Sequence, residues 1–576
     1  MRLDRVLING SSIAMLPTLK VEHLARVASD HTPLLIILGD SIRKLAPFKY
    51  IRAWHDHADF ITSVERTWSG HAHANPILAF ALKLQRLRRH LKSWNWTVFG
   101  NVKLRITTLT GKVEELEKEV QRQWNPSTES LLRSTREELA QVQRQHFQIL
   151  ADKAKAQWVA EGDRNITLFH AMIKWRRARN TVQIETADGS HTNDRQVIGT
   201  MAQGYFQSIL GSFSVCPLPD ALTHITPIIT DADNDTLSSM PSGDEIFNAI
   251  QRLNPSSAPG PDGFTGHFYV HCWHIIKKDL INAVHAFFRG QQLPSAITAT
   301  NLVLIPKKHV VTSVEQLRPI SLCNFIHKVI SSLLNSRLAS TLPRIISQEQ
   351  CGIMPGRNMM DSIALAHDLT CHINKGRRGG NVIIKVDMSK AYDRVSWLFL
   401  LHMLRALGFN SKWCDLIYRS IANCWYSVLW DGSAFGHFKS NPGVRQGDPL
   451  SHSLFIICME AFSQMMKQSL PSNRIDPYFV SMGALQVSHL LYADDMLIFT
   501  NGTQQSLGRL MAIINQFCTN SGQLLNHSKC TIFFDQLFTD ERRLSALRLT
   551  GFTQGAFPTT YLGAPLFPGR VKIEYF

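Results

Sequence analysis

Leu490-Leu491-Tyr492-Ala493-Asp494-Asp495-Met496-Leu497-Ile498-Phe499 is the stretch on which the fold turns. Apolar residues on both sides of a short acidic break read as strand, tight turn, strand, so two adjacent carboxylates are held at the tip of a rigid hairpin. Charge concentrated in this way is costly unless water, a proton or a cation relieves it, and Mg²⁺ suits an all-oxygen site. Asp is also frequent in turns for conformational reasons, so a second acidic site decides the reading. Asn381 leads an apolar run, broken only by Lys385, through Val386 to Asp387 and on into Met388-Ser389-Lys390-Ala391-Tyr392-Asp393. Asp387 can be read as a helix cap, but capping leaves the residues between the two acidic sites without a reason. A strand that delivers Asp387 at its end, next to the hairpin in one sheet, brings Asp387, Asp494 and Asp495 to one point. Three such carboxylates can bind two Mg²⁺ roughly 3.5 to 4 Å apart, the arrangement that clamps attacking and leaving oxygens in phosphoryl transfer.

Between the two acidic sites lies Asn441-Pro442-Gly443-Val444-Arg445-Gln446-Gly447-Asp448-Pro449-Leu450-Ser451, followed by the apolar helical stretch Leu454 to Met466. Asp448 as N-cap and Pro449 as first helical residue set the helix start. Gly443 and Gly447 flank Arg445 and Gln446 and leave the backbone free to approach a bulky ligand, a nucleotide or a template strand. A loop leading into a helix accounts for Asp448 and Pro449 but not for the Arg-Gln pair.

In this order, Lys385 to Asp393, Arg445 to Ser451 and Tyr492 to Asp495 resemble motifs A, B and C of reverse transcriptases, and more narrowly those of plant non-LTR (LINE-type) retrotransposons. Ala258-Pro-Gly-Pro-Asp-Gly263, Val303-Leu-Ile-Pro-Lys307, Leu317-Arg-Pro-Ile-Ser321 and Gln350-Cys-Gly-Ile-Met-Pro-Gly-Arg357 are similar to the family's finger motifs. Ser521-Gly522 with Asn526 and Lys529, then Tyr561-Leu-Gly-Ala-Pro565, are similar to its later palm motifs. The resemblance implies an α+β, right-hand polymerase fold with fingers over 243–380 and a palm over 381–567, in which helices pack on one face of an antiparallel sheet. Within the domain 243–576 it implies that most of the thumb is missing.

The resemblance also implies roles. Asp387, Asp494 and Asp495 would be the catalytic, metal-binding carboxylates for two Mg²⁺, with Mn²⁺ able to replace it and the Met388 carbonyl completing the coordination. Arg318 would contact the triphosphate as a guanidinium fork, Tyr392 would crowd a 2′-hydroxyl, and Gln446 would position nucleotide and template. Lys529 would give a proton to pyrophosphate. The implied partners are an RNA template, a DNA primer and dNTPs. Two departures stand out: His452 replaces the family's usual proline, and Asn441-Pro442 replaces a more basic lead-in.

Outside the polymerase motifs, Ser29-Asp30-His31-Thr32-Pro33-Leu34-Leu35 resembles the last segment of the apurinic-type endonuclease domain (endonuclease/exonuclease/phosphatase-like) that precedes the polymerase in these elements. Over 1–45 the stretch is too short to bury its own core, so Asp30 and His31 are expected to form an inactive remnant. Residues 46–242 read as a mostly helical basic connector. The chain carries a net charge of +16, and residues 83–182 hold 20 Lys plus Arg against 10 Asp plus Glu. A charge excess of this kind commonly marks a solvated helix face, but a polymerase needs counter-charge for a phosphate backbone.

Leu109, Val113, Leu116 and Val120 recur at helical spacing, and Asn125-Pro126-Ser127-Thr128 breaks the pattern before a second helix near Glu129, so a helical hairpin is expected. Arg and Trp interleave over Lys174-Trp175-Arg176-Arg177-Ala178-Arg179 in a way that suits phosphate contact and base stacking. Residues 215–243, with Pro217, Pro219, Pro227 and Pro241, read as the boundary before the fingers. Ten cysteines without a Cys-x-x-Cys pair indicate neither a disulfide framework nor a zinc site and suit a reducing compartment, the nucleus or cytoplasm. No apolar run reaches about 18 residues and no signal peptide is visible, so no membrane is expected as a partner. Two other function classes compete: a nucleic-acid-binding relic of a degenerate element without catalysis, and a maturase-like RNA-splicing factor on the same fold.

Overall fold

A computed structural model describes residues 18–23, 34–39, 47–154, 183–186, 189–211, 222, 225–308, 310–375, 379–469, 475–483 and 486–569. The chain divides into two compact units, 1–48 and 49–576. In the first, β1 (Thr18–His23) and β2 (Leu34–Gly39) form an antiparallel pair with Thr18 opposite Gly39. Asp30 and His31 lie outside the described residues, as does the Lys174 to Arg179 run.

The second unit opens with helices. The expected hairpin is present as Val102–Arg122 and Pro126–Ala154. Its second helix starts at Pro126, earlier than Glu129, because proline suits the first helical position and Asn125 accepts the Ser127 N–H at 2.9 Å. Leu109 and Leu116 are the buried stripe of the first helix. Before the hairpin, helix Pro76–Trp94 packs against helix Trp273–Phe288. There Asp279 accepts hydrogen bonds from Lys83 Nζ and Trp68 Nε1, both at 2.8 Å. Tyr50, Trp54, Phe60 and Trp94 join Phe264 and Phe268 in one aromatic cluster, so the front of the basic connector shares a core with residues near 260–290.

β3 (Ile184–Glu185) and β4 (His191–Thr192) make a short ribbon. The remaining strands are β5 (Ala299–Pro306), β6 (Leu317–Cys323), β7 (Asn381–Val386), β8 (Trp425–Trp430), β9 (Ser433–Lys439), β10 (His489–Tyr492), β11 (Asp495–Asn501), β12 (Thr531–Phe534), β13 (Thr553–Gln554), β14 (Thr559–Tyr561) and β15 (Ala564–Leu566). They give a sheet of order β6-β5-β8-β9, a second of order β10-β11-β7-β12-β13, and the β14-β15 hairpin. Strands β8 and β9, inside the stretch expected to be palm, thus belong to the sheet of β5 and β6. Helix Arg195–Leu210, inside the expected connector, covers that sheet: Ile198, Ala202, Phe206 and Leu210 pack with Leu302, Leu304, Tyr426 and Val428. The stretch read as a loop boundary contains helix Asp231–Ser238, opened by a capping box between Thr230 and Asp233.

The five-stranded sheet is antiparallel except for β12-β13. It is covered on both faces, not one. On one face His489, which shares its register row with Ile498, Ile384 and Ile532, meets Phe462 and Ser463 of helix Ser451–Ser469. On the other, Ile383, Leu497, Phe499 and Phe533 pack with Ala366 and Leu369 of helix Met359–Cys371 and with Tyr561 and Leu566. The continuous apolar run of β7 is the pattern of a strand buried on both sides. Among the described residues no helix is long and apolar enough to cross a membrane.

Candidate active site

β7 and β11 run antiparallel with Val386 opposite Met496, so Asp387 leaves β7 beside Asp495, the first residue of β11. Tyr492 pairs with Asp495 across the β10-β11 hairpin, which makes Ala493 and Asp494 its two-residue turn, with Ala493 at φ 53°. A residue in that left-handed region is what a tight hairpin turn requires. Beyond β7 the Asp387 carbonyl accepts the Asn526 N–H at 2.9 Å, and the Ser389 N–H donates to the Leu524 carbonyl at 2.8 Å. The aspartate is therefore anchored between β11 and the segment leading into β12.

The three carboxylates share one field. Burial pushes the Asp494 carboxyl up, and the charge of Asp387 adds to it, against the opposing effects of its own backbone N–H and of Arg318. Burial also raises Asp495, followed by repulsion from Asp494 and Asp387, with Lys385 opposing. Both side chains still reach solvent. A set of mutually repelling oxygen donors open to water fits hard divalent cations such as Mg²⁺.

Cations ring this acidic point. Lys529 Nζ lies 3.8 Å from Asp387 Oδ2. Lys307, at the end of β5, has its pKa lowered by burial first and then by the charges of Lys529 and Arg318, while Asp387 raises it. Lys390, next to Lys307, faces Asp393 and Glu315 rather than the three carboxylates; it is pushed down to about 8, by burial and then by Lys307, and its Nζ donates to the Leu317 carbonyl at 3.0 Å. Arg318 stands exposed on β6, close enough for Asp494 to feel its charge. Lys307 and Lys390 were not singled out by sequence reasoning, although both stand inside quoted motifs. Their signal is position, one at a strand end and one in the turn after Asp387.

Tyr392 is half-buried, its ring stacked on Phe455 at 4.5 Å and 20° and its hydroxyl 2.9 Å from His452 Nδ1. Burial holds its phenol above the usual range, and the charge of Asp494 adds to that. Gln446 is partly exposed, and its carbonyl accepts the Ser321 N–H of β6 at 2.9 Å.

The rest of that loop departs from expectation. Arg445 is 4% exposed and its Nη1 donates to the Ser420 carbonyl at 3.1 Å while also meeting His327, so it holds helix Phe325–Ala339 to the loop rather than facing a ligand. Gly443 is explained by chain packing, since a Cβ there would lie 2.6 Å from the Asp393 carbonyl oxygen. Asp448 turns inward to His327 Nδ1 (3.1 Å) and Ser331 Oγ (3.0 Å), and the helix begins at Ser451 instead of Pro449. Cys323, His327 and Asp448 lie close enough to share a metal ion. The buried Arg445 guanidinium beside them, and a Cys323 thiol pushed up to about 11 by burial, oppose a cation there.

Sequence reasoning also missed how the hairpin turn is braced. Gln350 Oε1 accepts the Ala493 N–H at 3.0 Å and the Gly352 N–H at 2.9 Å. Leu491 N–H donates to the Glu349 carbonyl and Cys351 N–H to the Leu491 carbonyl, both at 2.8 Å.

Residues 305–566 match the family model described as reverse transcriptase (RNA-dependent DNA polymerase). The chain is 25% identical over 525 residues to the transposon TX1 uncharacterized 149 kDa protein of Xenopus laevis, covering 86% of this chain and 38% of that protein. It is 27% identical over 282 residues to the retrovirus-related Pol polyprotein from type-2 retrotransposable element R2DM of Drosophila melanogaster, covering 48% and 25%. It is 26% identical over 288 residues to the retrovirus-related Pol polyprotein from type-1 retrotransposable element R2 of Popillia japonica, covering 50% and 38%. The chain thus spans between 25% and 38% of these relatives' own length. The family match takes in both acidic strands, the loop between them and the β14-β15 hairpin, so that residues 305–566, on an α+β fold, are similar to reverse transcriptases, and the relatives named are proteins of transposable elements.

Proposed function

We propose that this chain is an RNA-directed DNA polymerase that extends a DNA primer on an RNA template with dNTPs, as part of a non-LTR retrotransposon of plant type. The observation that carries the reading is the meeting of Asp387, Asp494 and Asp495, coupled in charge, at the end of a sheet whose neighbouring residues Arg318, Lys307 and Lys529 are cationic. Asp387, Asp494 and Asp495, with the Met388 carbonyl, would hold two Mg²⁺, which when bound neutralise the triphosphate and acidify the primer 3′-hydroxyl. In the reaction the 3′-oxygen gives its proton to solvent and forms a bond to the α-phosphorus, and the bond from the α-phosphorus to the α–β bridging oxygen breaks, releasing pyrophosphate. Arg318 and Lys307 attract the triphosphate, and Lys529 gives its proton to the departing pyrophosphate. The Tyr392 ring walls the sugar at its 2′ side, and Gln446 positions the base and template. The basic stretch 83–182 supplies charge for RNA. The reading is tested by extending a labelled DNA primer on an RNA template with dNTPs in Mg²⁺ and in EDTA. Extension in Mg²⁺ alone is expected. RNA bound but never extended, in Mg²⁺ or Mn²⁺, would instead support a binding protein without catalysis.

A further inference from the structure

Tyr392 is gripped from two sides by one helix. His452 and Phe455 stand in the first turn of helix Ser451–Ser469 at i and i+3, so they project from the same face. Phe455 stacks on the Tyr392 ring at 4.5 Å, and His452 meets it edge-on at 5.4 Å and 82°, with Nδ1 2.9 Å from the phenol oxygen. Burial lowers the His452 pKa against the opposing charge of Asp448, which favours the neutral imidazole, and in its Nε2–H tautomer Nδ1 accepts from the phenol. Stacking alone leaves a tyrosine free to slide in its plane and to swing about its side-chain torsions. A hydrogen bond at the far end of the ring removes that freedom.

We propose that His452 is a positioning residue that ties the Tyr392 hydroxyl and so fixes the wall against which a nucleotide's 2′ position is sorted, making discrimination between deoxy- and ribonucleotides depend on the His452–Tyr392 pair. The inference rests on the proposed polymerase reading and on Tyr392 facing the sugar. A ring that yields admits a 2′-hydroxyl, and a tethered ring must break a hydrogen bond before it yields. Loss of one such bond corresponds to about a three- to ten-fold change in selectivity.

The test is single-nucleotide incorporation by the full chain on a primed RNA template, giving kcat and KM for dATP and for ATP. His452→Ala and Tyr392→Phe are each expected to lower the dATP:ATP ratio of kcat/KM about three- to ten-fold, through a lower KM for ATP. The double variant should fall no further than either single one, because both remove the same bond. His452→Asn, which keeps an acceptor near the Nδ1 position, should recover most of the ratio. An unchanged ratio in His452→Ala, or additive losses in the double variant, overturns the proposal. Tyr392→Ala separates the two layers: a collapsed ratio there beside an unchanged one in His452→Ala leaves the wall standing and removes the tether, and an unchanged ratio in both removes the wall as well. If the chain binds primed template without extending it, the polymerase reading fails. The proposal is then judged on fluorescence titration of labelled dATP and ATP into that complex, and an affinity ratio equal in wild type and His452→Ala overturns it.

Discussion

Replacing Gly352 by Ala should disable catalysis through backbone contact alone. A Cβ on Gly352 would lie 2.4 Å from the Ala493 backbone nitrogen and 3.0 Å from Gln350 Oε1. Ordinary contact begins near 3.4 Å, so the hairpin turn carrying Asp494 and Asp495 must retreat by about 1 Å. Little else can give way. Ala493 N–H is already held by Gln350 Oε1, and Leu491 is bonded on both its N–H and its carbonyl to the Glu349 to Cys351 segment. A misplacement of about 1 Å costs on the order of 10²-fold in rate, and overpacking a rigid contact costs about 1 to 3 kcal/mol of stability. Primer extension under single-turnover conditions, with urea unfolding of the same preparations, measures both. A Gly352→Ala protein that folds and keeps its rate within about three-fold of wild type would refute the claim that this loop sets the position of the acidic turn.

Three further outcomes follow from the geometry. Asp279→Ala removes the acceptor shared by Lys83 Nζ and Trp68 Nε1 and should destabilise the protein by about 2 to 4 kcal/mol in urea unfolding, whereas a loss below about 1 kcal/mol would place this helix contact outside the core. Asp262 is partly buried, its carboxyl raised to about 7 by burial above all with the Phe264 N–H opposing, and its Oδ2 is sealed from solvent without a hydrogen-bond partner among the described residues. Because its folded pKa lies above the unfolded one near 3.8, its contribution is fully present below that value and is lost as pH rises through about 7. Asp262→Asn should therefore gain stability relative to wild type between pH ~4 and ~8, and a pH-independent difference in urea midpoints would contradict the buried neutral carboxyl. Lys529→Met should lower kcat by roughly 10²- to 10⁴-fold if Lys529 supplies the proton; a change below about five-fold would reduce its 3.8 Å approach to Asp387 to a surface ion pair of little worth.

The two acidic strands, their order and their convergence were legible because each rests on local pattern: an apolar run ending in Asp387, and a hairpin closed by Asp494 and Asp495. The helical hairpin over 102–154 was legible for the same reason. Two-sided burial of the five-stranded sheet was present in β7 as a nearly continuous apolar run, but its covers, helix Met359–Cys371 and Tyr561, come from distant segments. Arg445 misled because a charged residue between glycines reads as exposed. Its partners, Ser420 and His327, lie on elements that no spacing connects to it. Helix Arg195–Leu210 reads as connector in sequence and becomes part of the β5-β8 sheet's core through Phe206 and Leu210. Gln350 is one polar side chain among many until the turn it braces is in place.

On the proposed reading, Asp387, Asp494 and Asp495 act together as the centre that joins nucleotide to primer. The most direct test of that reading is Mg²⁺-dependent primer extension on an RNA template by wild type beside Asp387→Asn and the Asp494→Asn, Asp495→Asn double variant, with RNA affinity measured on each. Extension by wild type and its loss in both variants, with RNA affinity kept, is expected. Extension that survives in either variant would contradict it.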